Sequence, residues 1–288
     1  MLTGLHLLLT YRCTHACDHC FLSCGPGRSG TFTPEQIDGV LAEAERIGTV
    51  DTIYFEGGEP FLYYPLLLAG VGAAKEAGFT VGIVTNAFWA ESDSIADLYL
   101  APLAGAGLDD LTLSDDAFHW GEGEEVTPPR RAAAAAERLG LPTGTICIPP
   151  PEEDPAGVRY RGRAAEKLTD GLPTHPAATF VECPDEDLLD PGRVHLDAYG
   201  GVHLCQGLLM GNFLERPLSE IVATWDPRSH PIAGPLFEGG PAKLAEAIAP
   251  ELSKSEFVSA CHLCYRARQA ARGRFPGELG PAGVYEAE

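Results

Sequence analysis

Three cysteines stand together near the start of the chain, in Cys13-Thr-His-Ala-Cys17-Asp-His-Cys20. A tight loop carrying three thiolates can hold three irons of a cubane cluster, leaving the fourth iron open to a small molecule. The same loop also suits zinc, with His15 or His19 completing a tetrahedral site. Cys17, Cys20 and Cys24 form an alternative triple with reversed spacing. Further on, Gly57-Gly58-Glu59-Pro60 offers paired glycines, where a backbone approaches a ligand closely, and a carboxylate that can accept hydrogen bonds from an amine. Alone, that tetrapeptide reads equally as a strand-to-helix turn.

A second set of cysteines lies in the C-terminal part. Cys261-His-Leu-Cys264 is a knuckle, and Cys183 and Cys205 would complete a four-thiolate site. Structural zinc and a fully ligated 4Fe-4S cluster both fit that donor set. His195, His203 and His262 are nearby in sequence but surplus to it, and are read as non-ligands. Cys147, inside an apolar run, is read as a small core residue.

These side chains need elements to position them. Leu5 to Thr10 reads as a strand feeding the cysteine loop, and Thr33-Pro34-Glu35-Gln36 as a helix start with a cap, a first-turn proline and a capping-box glutamine. That helix runs to about Ile47. Strands are expected at Thr52–Phe55, Phe79–Thr85, Asp110–Leu113 and Thr143–Ile148, with helices at Pro65–Ala77, Ser94–Ala104 and Pro128–Leu139 between them. Val158–Arg161 is read as a sixth strand and Arg163–Leu168 as a short helix. Arg193–Leu196 and Val202–Leu204 flank a Tyr-Gly-Gly turn, which predicts a hairpin.

Alternation of apolar strands with helices implies an α/β fold with parallel strands. The expected architecture is a partial (β/α)6 TIM-like barrel over residues 1–175, then a small irregular α+β domain over 176–288. The apolar content of that second part looks thin, so a metal site is expected to help hold it.

Composition narrows the partners. Twenty Lys and Arg against forty-one Asp and Glu give a formal net charge of −21. Such a surface repels phosphate backbones and anionic lipids, which disfavours nucleic-acid and membrane partners. Nine cysteines cannot all pair internally, and clustered thiols without an export signal point to metal or redox chemistry and a cytoplasmic setting. The N-terminal run reads as a strand and not as a leader.

Taken together, Cys13, Cys17 and Cys20 after the first strand, with Gly57-Gly58-Glu59-Pro60 one βαβ unit later, resemble the radical S-adenosylmethionine (SAM) superfamily. The resemblance implies a 4Fe-4S cluster on the three cysteines, with the methionyl end of SAM on the open iron beside Gly57, Gly58, Glu59 and Pro60. It places Asn86 and Ser114, ending the third and fourth strands, against the carboxylate or ribose. His19 stands where the family often has an aromatic residue, and Phe21 is the second candidate for that role. Cys24 falls outside the implied ligand set. Gly200-Gly-Val-His-Leu-Cys205-Gln-Gly, Gly211-Asn-Phe213 and Leu218-Ser-Glu-Ile221 resemble the auxiliary-cluster modules called SPASM and twitch, and Arg161-Gly-Arg-Ala164 resembles a signature often seen just before them. With four cysteines after residue 175, the shorter one-cluster type is the better match, and Cys183, Cys205, Cys261 and Cys264 would hold an auxiliary 4Fe-4S cluster.

The implied reaction is reductive cleavage of SAM to a 5′-deoxyadenosyl radical, which takes hydrogen from a substrate. A closed auxiliary cluster accepting the second electron would make this a two-electron oxidation. An external one-electron donor such as flavodoxin or ferredoxin is implied. The alternatives are a maturase forming carbon–carbon or thioether crosslinks on a ribosomal peptide, and a non-catalytic iron–sulfur carrier, which the intact motifs oppose. With the first strand near residue 5, no preceding peptide-recognition domain is expected. That favours a small-molecule substrate or a short peptide presented by another protein. Asp115, Asp116, His119, Trp120, Arg159 and Arg161 are the polar candidates for contacting it.

Overall fold

The computed structural model describes every residue except Glu122, Glu124, Glu125, Ala287 and Glu288. Its centre is an eight-stranded sheet. The first five strands are β1 (Gly4–Thr10), β2 (Thr52–Gly57), β3 (Thr80–Thr85), β4 (Asp110–Ser114) and β5 (Thr143–Ile146). They lie side by side, all parallel. Helices α1 (Pro34–Ile47), α2 (Tyr64–Glu76) and α3 (Asp93–Gly105) connect the first four. A single turn, α4 (Ala117–Trp120), and α5 (Pro128–Leu139) join β4 to β5.

Local chemistry explains the crossovers. At α1, Thr33 Oγ1 accepts from the Gln36 N–H at 3.2 Å while Gln36 Oε1 accepts from the Thr33 N–H at 2.8 Å. Gly48, left-handed at φ 74°, ends the helix and Ile37, Val40, Leu41 and Ala44 face the sheet. Close packing also needs glycine at Gly70, where an added Cβ would lie 2.9 Å from the Phe55 ring. Strands β1 to β3 are apolar on the helix side, with Leu5, Leu7, Leu9, Ile53, Phe55, Val81 and Ile83 all buried.

Beyond β5 the order changes. Val158–Arg161 is not a strand; it runs as coil into the short α6 (Ala164–Lys167). Strand β6 (His175–Pro176) forms a two-residue antiparallel ladder with β10 (Glu256–Phe257). The sixth parallel strand is β7 (Arg193–Asp197), which joins the sheet beside β1 on the side away from β2. Strands β8 (Gly201–Cys205) and β9 (Leu208–Asn212) follow it antiparallel. The expected hairpin is present as β7 and β8, while the pairing of β7 with β1, across nearly 190 residues, leaves no local trace. Helices α7 (Leu218–Ala223), α8 (Ala233–Ile248) and α9 (Ala260–Ala271) complete the chain. α8 is broken at Gly239-Gly240-Pro241, where an added Cβ on Gly240 would strike the Val181–Glu182 backbone.

Two further expectations are corrected. Cys147 is exposed, because it lies just past the outer-edge strand β5, whose own residues are mostly exposed. The C-terminal part is not poor in core: Val194, Leu196, Val202, Leu204, Leu263 and Tyr265 belong to the same continuous hydrophobic cluster as β1.

Candidate active site and second cysteine site

The ends of β1 to β4 open into a cavity of about 200 Å³. Cys13, Cys17 and Cys20 line it, with Gly57, Gly58, Asn86, Ser114 and His19. These are the positions expected for one site, brought from four strands.

The cysteine loop is held from both sides. The Cys13 N–H donates to Gly25 O at 3.1 Å, and the Cys20 N–H to Cys17 O at 3.1 Å. Arg163, almost fully buried, donates from Nε to Cys17 O at 3.0 Å and from Nη2 to Cys24 O at 2.5 Å. Its backbone N–H reaches Cys20 O at 3.0 Å. Gly162, at φ 56°, permits this approach, since a Cβ there would lie 2.7 Å from the Cys20 and Phe21 carbonyl region. The Arg-Gly-Arg-Ala stretch therefore works as a clamp on the loop, a role the sequence pattern marked without explaining.

The sulfurs differ in environment. Burial pushes the Cys13 and Cys17 thiols up to about 12, so a bound cation is what would make them thiolates. Cys20 is held down to about 6 by the hydrogen bond from the Cys24 thiol, against burial and with help from Arg163. The Cys24 N–H also donates to Cys20 Sγ at 3.4 Å. Cys24 thus supports Cys20. The Asn86 side-chain amide donates to Thr14 Oγ1 at 3.1 Å and to Cys13 Sγ at 3.6 Å.

Gly57 and Gly58 have no room for side chains. A Cβ on Gly57 would sit 2.5 Å from Thr10 O, and one on Gly58 2.2 Å from Arg12 O. Glu59 and Pro60, expected on the same wall, do not line the cavity; both are buried behind it. The Glu59 carboxylate accepts from the Phe61 N–H at 3.0 Å, Thr85 Oγ1 at 2.8 Å and the Asn86 N–H at 2.8 Å. Burial raises its pKa to about 7 despite those donors. Glu59 shapes the wall from behind by fixing the end of β3.

His19 stacks on Phe118 at 4.6 Å and meets His119 edge-on. Burial drops its pKa to about 4, so it presents a neutral ring. Asp116 caps α4 and takes the His119 ring nitrogen at 2.8 Å. His15 packs edge-on to Trp120. Asp115 instead pairs outward with Thr127 and Arg130.

The second set also assembles. Cys183, Cys205, Cys261 and Cys264 surround a space of about 20 Å³. Arg161 Nη1 donates to Cys205 Sγ at 2.5 Å, and the Cys261 thiol donates to Asp185 at 2.7 Å. Arg159 and Arg193 pair with Asp185 and Glu186 from outside. Arg268, fully buried, donates to Gln206 O and Tyr285 Oη, while its Nε and Nη2 and the Arg161 Nε find no partner. Buried guanidinium groups with unmet donors beside four sulfurs fit an anionic occupant. Arg268 carried no sequence signal, being one arginine in an ordinary helix.

Spacing bears on what the cysteines can hold. Around one zinc, thiolates at 2.3 Å lie roughly 3.8 Å apart. Among the described residues, no three cysteine sulfurs lie within 4.8 Å of one another.

Residues 7–154 match the radical SAM superfamily. The chain belongs to that superfamily. Its members use a 4Fe-4S cluster and SAM. Among curated proteins, the chain is 30% identical over 111 residues to the putative peptide biosynthesis protein YydG of Bacillus subtilis, covering 38% of this chain and 35% of that protein. It is 29% identical over 136 residues to the tungsten-containing aldehyde ferredoxin oxidoreductase cofactor-modifying protein of Pyrococcus furiosus, covering 47% and 36%. The chain thus spans about a third of the length of these relatives. Among solved structures, anSMEcpe with bound AdoMet aligns at a TM-score of 0.52 and 14% identity, covering 96% of this chain and 97% of that one. BtrN in complex with AdoMet and 2-DOIA aligns at 0.51 and 17%, covering 77% and 82%. These likenesses establish the radical SAM partial-barrel fold. No described helix is long and apolar enough to cross a membrane.

Proposed function

We propose that this radical SAM enzyme carries two 4Fe-4S clusters and removes two electrons and two hydrogens from its substrate. The observation that carries the reading is the contrast between an open three-cysteine cavity and a closed four-cysteine site flanked by buried guanidiniums. In this reading residues 1–175 carry the first site's cysteines and 176–288 the second's, although Arg161 reaches the second set and β7 to β9 extend the same sheet. Cys13, Cys17 and Cys20 hold three irons, and Gly57, Gly58, Asn86 and Ser114 receive SAM, with His19 beside the adenosyl portion. When bound, these groups would supply a 5′-deoxyadenosyl radical that takes one hydrogen atom, while the second cluster would take the remaining electron and the second hydrogen would leave to solvent as a proton.

The chain's own residues do the positioning. Arg163 fixes the loop, Glu59 fixes the β3 end, and the glycines bring backbone against the ligand. Arg161 and Arg268 offset the charge of four thiolates, which favours taking up an electron. An external one-electron donor such as flavodoxin or ferredoxin belongs to this scheme.

A second reading, peptide modification by bond formation, is supported by the partial similarity to the peptide biosynthesis protein. Iron, sulfide and zinc content after anaerobic reconstitution tests the first. About eight irons, falling to about four in Cys13→Ala/Cys17→Ala/Cys20→Ala, is the expected result. About four irons plus one zinc would remove the electron acceptor and leave the peptide reading as the one to pursue.

A further inference from the structure

Glu56, a wall of the first cavity, belongs to a cluster that neither cysteine site uses. Its partners are His6 and His195, and the three come from adjacent strands β2, β1 and β7. In register, His6 lies opposite His195 on one side and Tyr54 on the other, and Glu56 follows Tyr54 by two residues on the same face. The backbone of a three-stranded parallel sheet therefore fixes all three positions.

We propose that His6, Glu56 and His195 bind one divalent transition-metal ion beside the cavity. His6 Nδ1 lies 3.3 Å from Glu56 Oε1, and His195 Nε2 lies 3.1 Å from the same oxygen. Ligands about 2.1 Å from a shared ion sit roughly 3.0 Å apart at a right angle and roughly 3.4 Å apart in a tetrahedron. The observed separations fall in that interval. All three ligand atoms lie within 4.8 Å of one another.

The alternative is an internal hydrogen-bond network, and the polar atoms here do not complete one. His6 Nδ1, His195 Nδ1 and Gln206 Oε1 are buried without hydrogen-bond partners. Gln206 places its Nε2 3.3 Å from His195 Nε2. Turning the Gln206 amide by half a revolution about its last bond would bring the unmet oxygen there as a fourth donor. The imidazoles are already oriented, His6 stacking on Tyr54 at 5.1 Å and meeting His195 at 5.0 Å.

Two imidazoles and one carboxylate suit Fe²⁺, Mn²⁺ or Zn²⁺ and leave coordination positions open. An ion there adjoins the cavity, so an alcohol, carbonyl or carboxylate oxygen of the substrate is the class of group it would bind. The inference does not depend on the reaction proposed above.

The test is a Mn²⁺ titration of the reconstituted, oxidised holoprotein, following loss of the free-ion electron paramagnetic resonance signal. One saturable Mn²⁺ per chain, displaced by Zn²⁺, is expected. Glu56→Gln and His195→Gln should each weaken binding by about tenfold or more with iron content unchanged. The control is His119→Gln, from the separate His19–Asp116–His119 group, and it should titrate as wild type. Unsaturable binding, or loss in His119→Gln with retention in Glu56→Gln, would overturn the proposal. His195→Gln keeps the test available if Glu56→Gln fails to fold.

Discussion

The two cysteine sites solve opposite problems. The first draws three cysteines from eight consecutive residues and leaves about 200 Å³ beside them. The second gathers four from segments spread over eighty residues and leaves about 20 Å³. The first is backed by glycines, an asparagine and one guanidinium, Arg163, whose donors are taken up by backbone carbonyls; the second by two guanidiniums with unmet N–H groups. An open pocket suits a cluster that must admit a ligand, and a closed cationic one suits a cluster that only exchanges electrons. On the proposed reading, access, more than cysteine count, separates their roles.

The comparison breaks most decisively at the ligands themselves. Cys13→Ala/Cys17→Ala/Cys20→Ala should abolish SAM cleavage with the thermal unfolding transition retained. Cys264→Ala should lose second-site iron while SAM cleavage persists, read by product chromatography. If Cys264→Ala abolishes cleavage, the division of labour is wrong.

Next comes the bracket joining the two regions. Asp197 accepts Tyr11 Oη at 3.0 Å and the His203 ring nitrogen at 3.0 Å, plus the Tyr199 and Gly201 N–H groups. Asp197→Asn should cost about 3–5 kcal/mol in denaturant unfolding, as expected when a buried pair loses one partner. Burial alone would raise the Asp197 pKa, but His203 and the donors hold it below the ordinary value. Its stabilisation is thus complete above the ordinary carboxylate range and lost as pH falls through the lowered value. The gap between wild type and Asp197→Asn should narrow below about pH 4. A gap independent of pH would remove that ionisation from the account.

Arg163→Met should cost about 2–3 kcal/mol, from charge-assisted hydrogen bonds to two buried carbonyls, and should lower iron retention at the first site only. Equal loss at both sites would make Arg163 a general core residue. Arg161→Gln should lower the potential of the second cluster on the order of 60 mV, one tenfold step in a one-electron equilibrium. The first cluster's potential should not move in redox titration. The smallest effect is expected for His19→Ala: SAM affinity weaker by about two- to tenfold in equilibrium dialysis, from losing one ring contact.

Much of this was readable in the chain. The α1 boundaries follow from Thr33, Pro34, Gln36 and Gly48, all local signals, and α5 from Thr127, Pro128 and Gly140. Cys13, Cys17, Cys20, Gly57, Gly58, Asn86 and Ser114 share one cavity because each lies at the end of a parallel strand or in the loop that follows one. Glu59 looks available beside two glycines, but Phe61, Thr85 and Asn86 engage its carboxylate behind the cavity wall. β7 was read as a local hairpin strand, since its pairing with β1 depends on a match of side-chain faces far apart in sequence.

By itself, then, the sequence determined the strand–helix alternation, the three-cysteine loop and the two sets of thiols, because helix caps, periodicity and ligand spacing are written over a few residues. Tertiary structure decided which groups meet. It put Arg163 on the cysteine loop, Arg161 and Arg268 beside the second thiols, and His195 beside Glu56. Those contacts arise from sheet order and burial, which bring together side chains that carry no mark of one another along the chain.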